Sequence, residues 1–313
     1  MSARTLAFVL LLLATPLAAA AERSFLIVVS GIGGEPEYST KFATWSKDLV
    51  KAAEHRLGLA REHIIYLSES QDHGADGVSR KGDIEAALHG IAANAAPGDT
   101  VFLVLIGHGT ARGDRVLFNI PGPDISAAEL DGMLAHHGRL RWVVVNGSPS
   151  SGPFVQPLSA PNRVVITATA NAAERFHTVF PEHFIAAYAK PGADSDKNGR
   201  VSVLEAFTFA IRETGRSYTE AGTILSEHAV LEDTGGLARA TYLEADRTHF
   251  AAHIPADELD RLLAERDDLE SRIAVLIAGK PRFDPVVYDE RLESLLVRFA
   301  LVHRALRPAE TAQ

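Results

Sequence analysis

Five short apolar runs punctuate the first half of the chain: SFLIVVS at 24–30, HIIYL at 63–67, TVFLVLI at 100–106, RWVVVN at 141–146 and RVVITAT at 163–169. Each has the length and β-branched content of a strand. Between them the apolar positions recur at helical spacing. Phe42, Trp45, Leu49 and Ala52 mark one helix over 41–56, and Ile84, Leu88 and Ile91 mark another over 79–94, with Ser79 as its cap. A third, over 126–137, opens with Ser126 and Glu129, the spacing of a capping box. Strands that are apolar throughout and alternate with helices predict an α/β fold, a mostly parallel sheet flanked by helices. Ligands of such sheets gather at the carboxyl ends of the strands. Three turns fall there: GIGGE after the first run, GHGT after the third and NGSPSSG after the fourth.

The tail has a different period. Leu259, Leu262, Leu269, Ile273 and Leu276 keep helical spacing, and Tyr288, Leu292, Leu295, Phe299, Val302 and Leu306 alternate steps of four and three. The second series is a coiled-coil seam. GKPRFDP separates the two, with Asp284 and Pro285 placed as cap and first helical residue. The pattern predicts a helical hairpin, assigned as a 255–308 extension, following an α/β domain over 22–250. Its seam is a surface for self-association.

At the other end, Arg4 precedes an apolar run from Leu6 to Ala14 and a small-residue stretch from Ala18 to Ala21. This is the pattern of a secretory signal peptide over residues 1–21, and it predicts a secreted or periplasmic protein with no membrane span after cleavage. The run is short for an anchor helix. The 313 residues carry a net charge of −9, which argues against a nucleic-acid surface. There is no cysteine, so thiol catalysis, redox pairs and thiolate zinc sites are excluded.

The chemistry concentrates in two of the turns. His108 stands between Gly107 and Gly109 at a strand end, suited to general acid–base work. At the next strand end comes NGSPSSGPF. Together the two turns resemble the caspase-like fold of clan CD cysteine peptidases, nearest the legumain (C13) branch. There a hydrophobic strand ends in His-Gly, and about forty residues on a second strand ends in a small residue, Cys, any residue, Ser and Gly. The resemblance covers roughly residues 24–230. It implies that His108 falls on the catalytic histidine and Ser151-Gly152 on the Ser-Gly after the nucleophile. Pro149 then stands where the cysteine would be, with neither a nucleophile nor a backbone N–H. The basic residue that the legumain branch uses after its first strand to select asparagine has no counterpart in GIGGEPEYST, which offers Glu35 and Glu37.

Three readings follow. One is a pseudo-peptidase that keeps the fold and binds a peptide or protein partner. Another is a serine-type hydrolase in which Ser148 or Ser150 is the nucleophile and His108 the base, oriented by Asp114 or Asn146. That needs a Ser–His contact of roughly 3 Å. The third is an unrelated α/β domain whose small residues only make turns.

DSDKNGRVSVLE, residues 194–205, matches the calcium loop D-x-[DN]-x-[DN]-G-x5-E at every position. Asp194, Asp196 and Asn198 would offer side-chain oxygens, Arg200 its carbonyl, Ser202 its hydroxyl or a water, and Glu205 two oxygens to a structural Ca2+. Ser202 and Glu205 also have capping-box spacing, so a plain helix start explains part of the pattern. Glu227, His228, Glu232 and Asp233 read as a solvated loop. His136 and His137 are explained by a helix C-terminus. No HExxH, Walker A or dinucleotide fingerprint is present.

Overall fold

The computed structural model describes residues 23–71, 74–112, 115–244 and 254–306. The signal peptide expected over 1–21, and Asp114, lie outside the described residues. The protein is an α/β structure with a mostly parallel sheet flanked by helices and a pair of C-terminal helices.

Five main strands form the sheet: β1 (Ser24–Ser30), β2 (Ile64–Ser68), β4 (Thr100–Ile106), β8 (Arg141–Asn146) and β9 (Arg163–Thr167). Two short edge strands, β3 (Gly77–Val78) and β10 (Val230–Glu232), complete the order β10-β9-β8-β4-β1-β2-β3. All pairings are parallel except β10 with β9. The period of two along each strand divides the core into two layers. Leu26, Val28, Phe102, Val104, Val143 and Val145 face one side, under α1 (Pro36–Lys51), α5 (Phe180–Ala189) and α6 (Val203–Glu220). Phe25, Ile27, Val29, Val101, Leu103 and Leu105 face the other, under α2 (Lys81–Asn94), α3 (Ala127–Ala135) and the short α4 (Val155–Leu158). Both faces are dry, which is why the strands lack alternation in the sequence.

Asp99 fixes the entry to the central strand. Its carboxylate, in a residue only 2% exposed, accepts from the Arg23 backbone N–H at 2.9 Å, from Arg23 Nε at 3.1 Å and from the Ala96 N–H at 2.8 Å. The starts of β1 and β4 are thereby tied through one buried carboxylate.

The helix starts differ from expectation in two places. α1 begins at Pro36, before its apolar stripe, because proline fits the first turn and its first residues face solvent. α2 begins at Lys81 with Arg80 as an uncapped start, and Ser79 donates instead to the Ser30 carbonyl at 2.7 Å, bracing β1. The Ser126–Glu129 capping box of α3 is present as expected. A three-stranded antiparallel sheet of β5 (Gly109–Arg112), β6 (Arg115–Phe118) and β7 (Ile125–Ser126) carries the chain from the His108 turn to α3.

α7 (Ala256–Ala278) and α8 (Pro285–Leu306) form the expected hairpin. Asp284 Oδ1 accepts from the Val286 N–H at 3.0 Å, capping α8 with Pro285 behind it. The hairpin has its own core, in which Leu259, Leu262, Leu269, Phe299, Val302 and Leu306 pack together. No helix among the described residues is long and apolar enough to cross a membrane. Phe299, 2% exposed, is central to this small core, so Phe299→Ala should cost the hairpin about 3–5 kcal/mol. Hydrogen exchange should then rise across 256–306 while the amides of β1 and β4 keep their protection. Equal loss in both regions would show that the hairpin does not unfold separately.

Candidate functional site at the strand ends

The His108 turn and the NGSPSSG turn leave adjacent strands, β4 and β8, at the same end of the sheet. They touch. A Cβ added to Gly109 would lie 2.2 Å from the Pro149 carbonyl oxygen and 2.8 Å from Ser148 Oγ, so glycine is required for this approach. Gly147 is similarly hemmed, by Pro181 at 2.5 Å from a built Cβ.

The polar groups of the serine turn are directed inward. Ser148 donates from both its N–H, at 3.1 Å, and its Oγ, at 2.7 Å, to Asn146 Oδ1. Ser150 lies in the left-handed region at φ 59, a strained conformation for a residue with a side chain. It is held there by its N–H on the Glu174 carbonyl at 2.8 Å and its Oγ on the Ala172 carbonyl at 3.0 Å. The Gly152 N–H donates to Thr169 Oγ1 at 3.2 Å. Ser148, Ser150 and Ser151 are all buried.

His108 is half-buried, and its Nε2 lies 3.1 Å from the Gly33 carbonyl oxygen. A carbonyl only accepts, so Nε2 carries the proton and Nδ1 the lone pair. Burial lowers the pKa of His108, opposed by the Gly33 contact and the Glu35 charge. Among the described residues no hydrogen bond joins His108 to Ser148 or Ser150. Asn146 serves Ser148 and does not orient His108, and its Nδ2 is buried with no partner.

Several side chains beside His108 were not evident from the motifs. Tyr38 and Phe42 of α1 meet the His108 ring edge-on, at centroid distances of 4.8 and 5.0 Å. His177, in the loop after β9, packs on Tyr38 at 5.0 Å and stacks on Trp45 at 6.2 Å. Lys41 Nζ lies 3.2 Å from His177 Nε2 and 4.9 Å from the centre of the Trp45 ring. An ammonium only donates, so His177 accepts through Nε2 and keeps its proton on Nδ1. Burial, then Lys41 and His108, push the His177 pKa down to about 4. Tyr38, Lys41, Phe42 and Trp45 do share one face of α1, a signal present in the sequence. His177 has no motif around it.

The 194–205 loop lies between α5 and α6. Asp194, Asp196 and Glu205 bring carboxylate oxygens within 4.8 Å of one another, the only such cluster of three or more ligating side chains among the described residues. The loop is ordered by its own amides. Asn198 N–H donates to Asp194 Oδ1 and Asp196 Oδ1, both at 3.0 Å, and Gly199 N–H to Asp194 Oδ2 at 2.8 Å. Glu205 is also the capping-box partner of Ser202, whose N–H lies 3.0 Å from its Oε2, while Oε1 accepts from the Ser195 N–H at 2.9 Å. Arg200 sends its side chain away from the loop, to Glu244 and over the Tyr242 ring at 3.5 Å. Loss of hydration, then the charge of Glu205, raises the Asp196 pKa to about 6.

The 226–236 segment departs from the solvated loop expected of it. Glu227 is 3% exposed and accepts from the N–H groups of Val179 and Phe180, at 2.8 and 3.1 Å, at the start of α5. Burial raises its pKa. Asp233 accepts from the Leu237 and Ala238 N–H groups, Glu232 pairs with Ser159 and Thr234, and His228 pairs with Glu174. These are structural partners.

No family model matches the chain, and no curated protein matches it.

Two measurements follow from this geometry. Gly109→Ala forces the His108 turn away from Pro149, at a cost of about 1–3 kcal/mol, read as a lower Tm; an unchanged Tm would refute the close approach. The unfolded chain protonates histidine near the ordinary pKa of about 6.5, whereas folded His177 does so at about 4. Stability linked to His177 is therefore present above about 6.5 and lost as pH falls toward about 4. His177→Gln should flatten that stretch of the Tm–pH profile, and an unchanged slope would contradict a buried neutral imidazole.

Proposed function

We propose that this protein is an exported, catalytically inactive relative of the caspase-like clan CD peptidases, a pseudo-peptidase that binds a peptide or protein partner at the strand ends. The observation that carries the reading is the commitment of the serine turn. Pro149 supplies neither nucleophile nor N–H. The N–H groups of Ser148, Ser150 and Gly152 are spent on Asn146, Glu174 and Thr169. No preorganised pair of amides then remains on these residues to receive a developing oxyanion. The neighbouring strand ends still offer recognition groups: the half-buried Tyr38, Lys41 and His108.

A serine-type hydrolase is the second reading, favoured by the position of Ser148 Oγ against the His-Gly turn. It requires Ser148 to leave Asn146 and His108 to leave Gly33. A fluorophosphonate probe separates the two. No labelling of the purified protein, with or without calcium, is expected. Labelling of Ser148 or Ser150 that disappears in His108→Ala would establish the hydrolase and sink the pseudo-peptidase.

The same proposal gives the 194–205 loop a structural calcium ion. Asp194, Asp196, Asn198 and Glu205 carry hard oxygen donors of the kind calcium takes, and the loop pattern assigns Ser202 and the Arg200 carbonyl as further ligands. The ion would neutralise three crowded carboxylates and join α5 to α6. A site with Kd of about 10⁻⁴ to 10⁻³ M, at about 10 mM calcium, stabilises the fold by about 1.4–2.7 kcal/mol. The expected result is a calcium-dependent rise in Tm that Asp196→Asn reduces and magnesium does not reproduce. A Tm indifferent to calcium would remove the ion from the proposal. The seam residues expected to carry self-association, Phe299, Val302 and Leu306 among them, are taken up in the hairpin's own core, so self-association is assigned to the exposed Val286, Val297 and Leu301 of α8.

A further inference from the structure

The helix α8 carries two stripes. Phe299, Val302 and Leu306 face α7 and close the hairpin's own core. On the opposite side a second stripe runs through Val286, Glu290, Glu293, Val297, Leu301 and Arg304. At about 100° per residue these six positions fall within about 80° of the helix circumference. All six are exposed, and Val286, Val297 and Leu301 are each more than half exposed. A helix with an apolar element on each side covers only one of them by folding into a two-helix hairpin.

The charges of the outer stripe are segregated along the helix. Glu290 and Glu293 precede Val297, and Arg304 follows it. None of the three has an ion-pair partner among the described residues, whereas Arg298, off the stripe, is held by Glu265 of α7. A face that is acidic in one half and basic in the other is complementary to a second copy of itself run in the reverse direction. With Val297 on the two-fold axis, Glu290 and Arg304 lie equally far from it on either side, so Glu290 opposes Arg304 of the second copy. Glu293 opposes Leu301 of the second copy, one turn from the same Arg304. The Val297 and Leu301 side chains of both copies fill the centre. A parallel pairing would instead set Glu290, Glu293 and Arg304 each against its own copy, and like charges across a helix pair repel.

We propose that this outer face of α8 is a homodimer interface, in which α8 packs antiparallel on α8 of a second copy across a two-fold axis at Val297. The proposal rests on the assignment of self-association to the hairpin, and adds the orientation and the register. The interface is isologous: one patch serves both chains. With three apolar side chains from each copy it belongs to the small, transient class. One dimer would carry two strand-end clefts, and a bivalent partner would gain avidity from both.

Sedimentation equilibrium from about 1 to 200 µM protein should follow a monomer–dimer association of that weak class. The chain has no cysteine, so single cysteines report the register. Under mild oxidation Val297→Cys should give a covalent dimer, because the two positions meet on the axis. Glu290→Cys should not, because its two copies stand about 21 Å apart, beyond the reach of a disulfide. Arg304→Glu, and Glu290→Arg combined with Glu293→Arg, should each weaken association by at least about tenfold. An equimolar mixture of those two variants should recover the dimer, since each then meets its opposite charge. Circular dichroism checks that every variant keeps its helices. A wild-type chain that stays monomeric over the whole range overturns the pairing and the self-association with it. A wild-type dimer that Val297→Cys does not capture, or that charge reversal leaves unchanged, overturns this pairing alone and moves self-association to another surface.

Discussion

The approach of Gly109 to the Pro149 carbonyl sets the character of the whole strand-end region. It joins the turns of β4 and β8 at a distance that leaves no room for a side chain. The serine turn is buried against the His108 turn, so its hydroxyls and amides find their partners inside the protein. Ser148 turns to Asn146, and Ser150 takes a left-handed conformation to reach the 170–174 loop. That loop is in turn held by Glu174, which accepts from Ala170, Asn171 and His228. The strain at Ser150 is thus over-determined by its neighbours, the condition under which a non-glycine residue keeps such a backbone.

The parts of the fold that read clearly in the sequence are those decided by local pattern. The five apolar runs became strands because each is buried on both faces, and no tertiary rearrangement competes with that. The Ser126–Glu129 and Ser202–Glu205 boxes formed because both partners lie within one turn. The β5–β7 sheet escaped notice because its strands are short and carry Arg112 and Arg115, whose charge hides any alternation. Ser79 was misread for a related reason. Its spacing suits a cap, but its hydroxyl donates to the Ser30 carbonyl, distant in sequence, and the helix starts one residue later.

The functional regions divide the same way. As candidates, His108, Ser148 and Ser150 stand out because glycines and small residues surround them, and the 194–205 loop because its oxygen-bearing residues sit at fixed offsets. The Lys41–His177 contact and the unpartnered Asn146 Nδ2 are visible only once α1 and the loop after β9 meet above the sheet.

Glu205 shows how one side chain satisfies two explanations that the sequence presents as rivals. Its Oε2 accepts from Ser202 as a helix cap, and its Oε1 accepts from the Ser195 and Asp196 amides at the head of the loop. The cap therefore places the carboxylate where an ion would need it, before any ion arrives. That preorganisation lowers the ordering cost of binding, while crowding with Asp194 and Asp196 leaves a charge repulsion that a divalent cation relieves. The cap and the ion site are consequently not alternatives. The first fixes the geometry from which the proposed ion site would draw its affinity, and a substitution that keeps the cap while removing charge, such as one at Asp196, separates the two contributions.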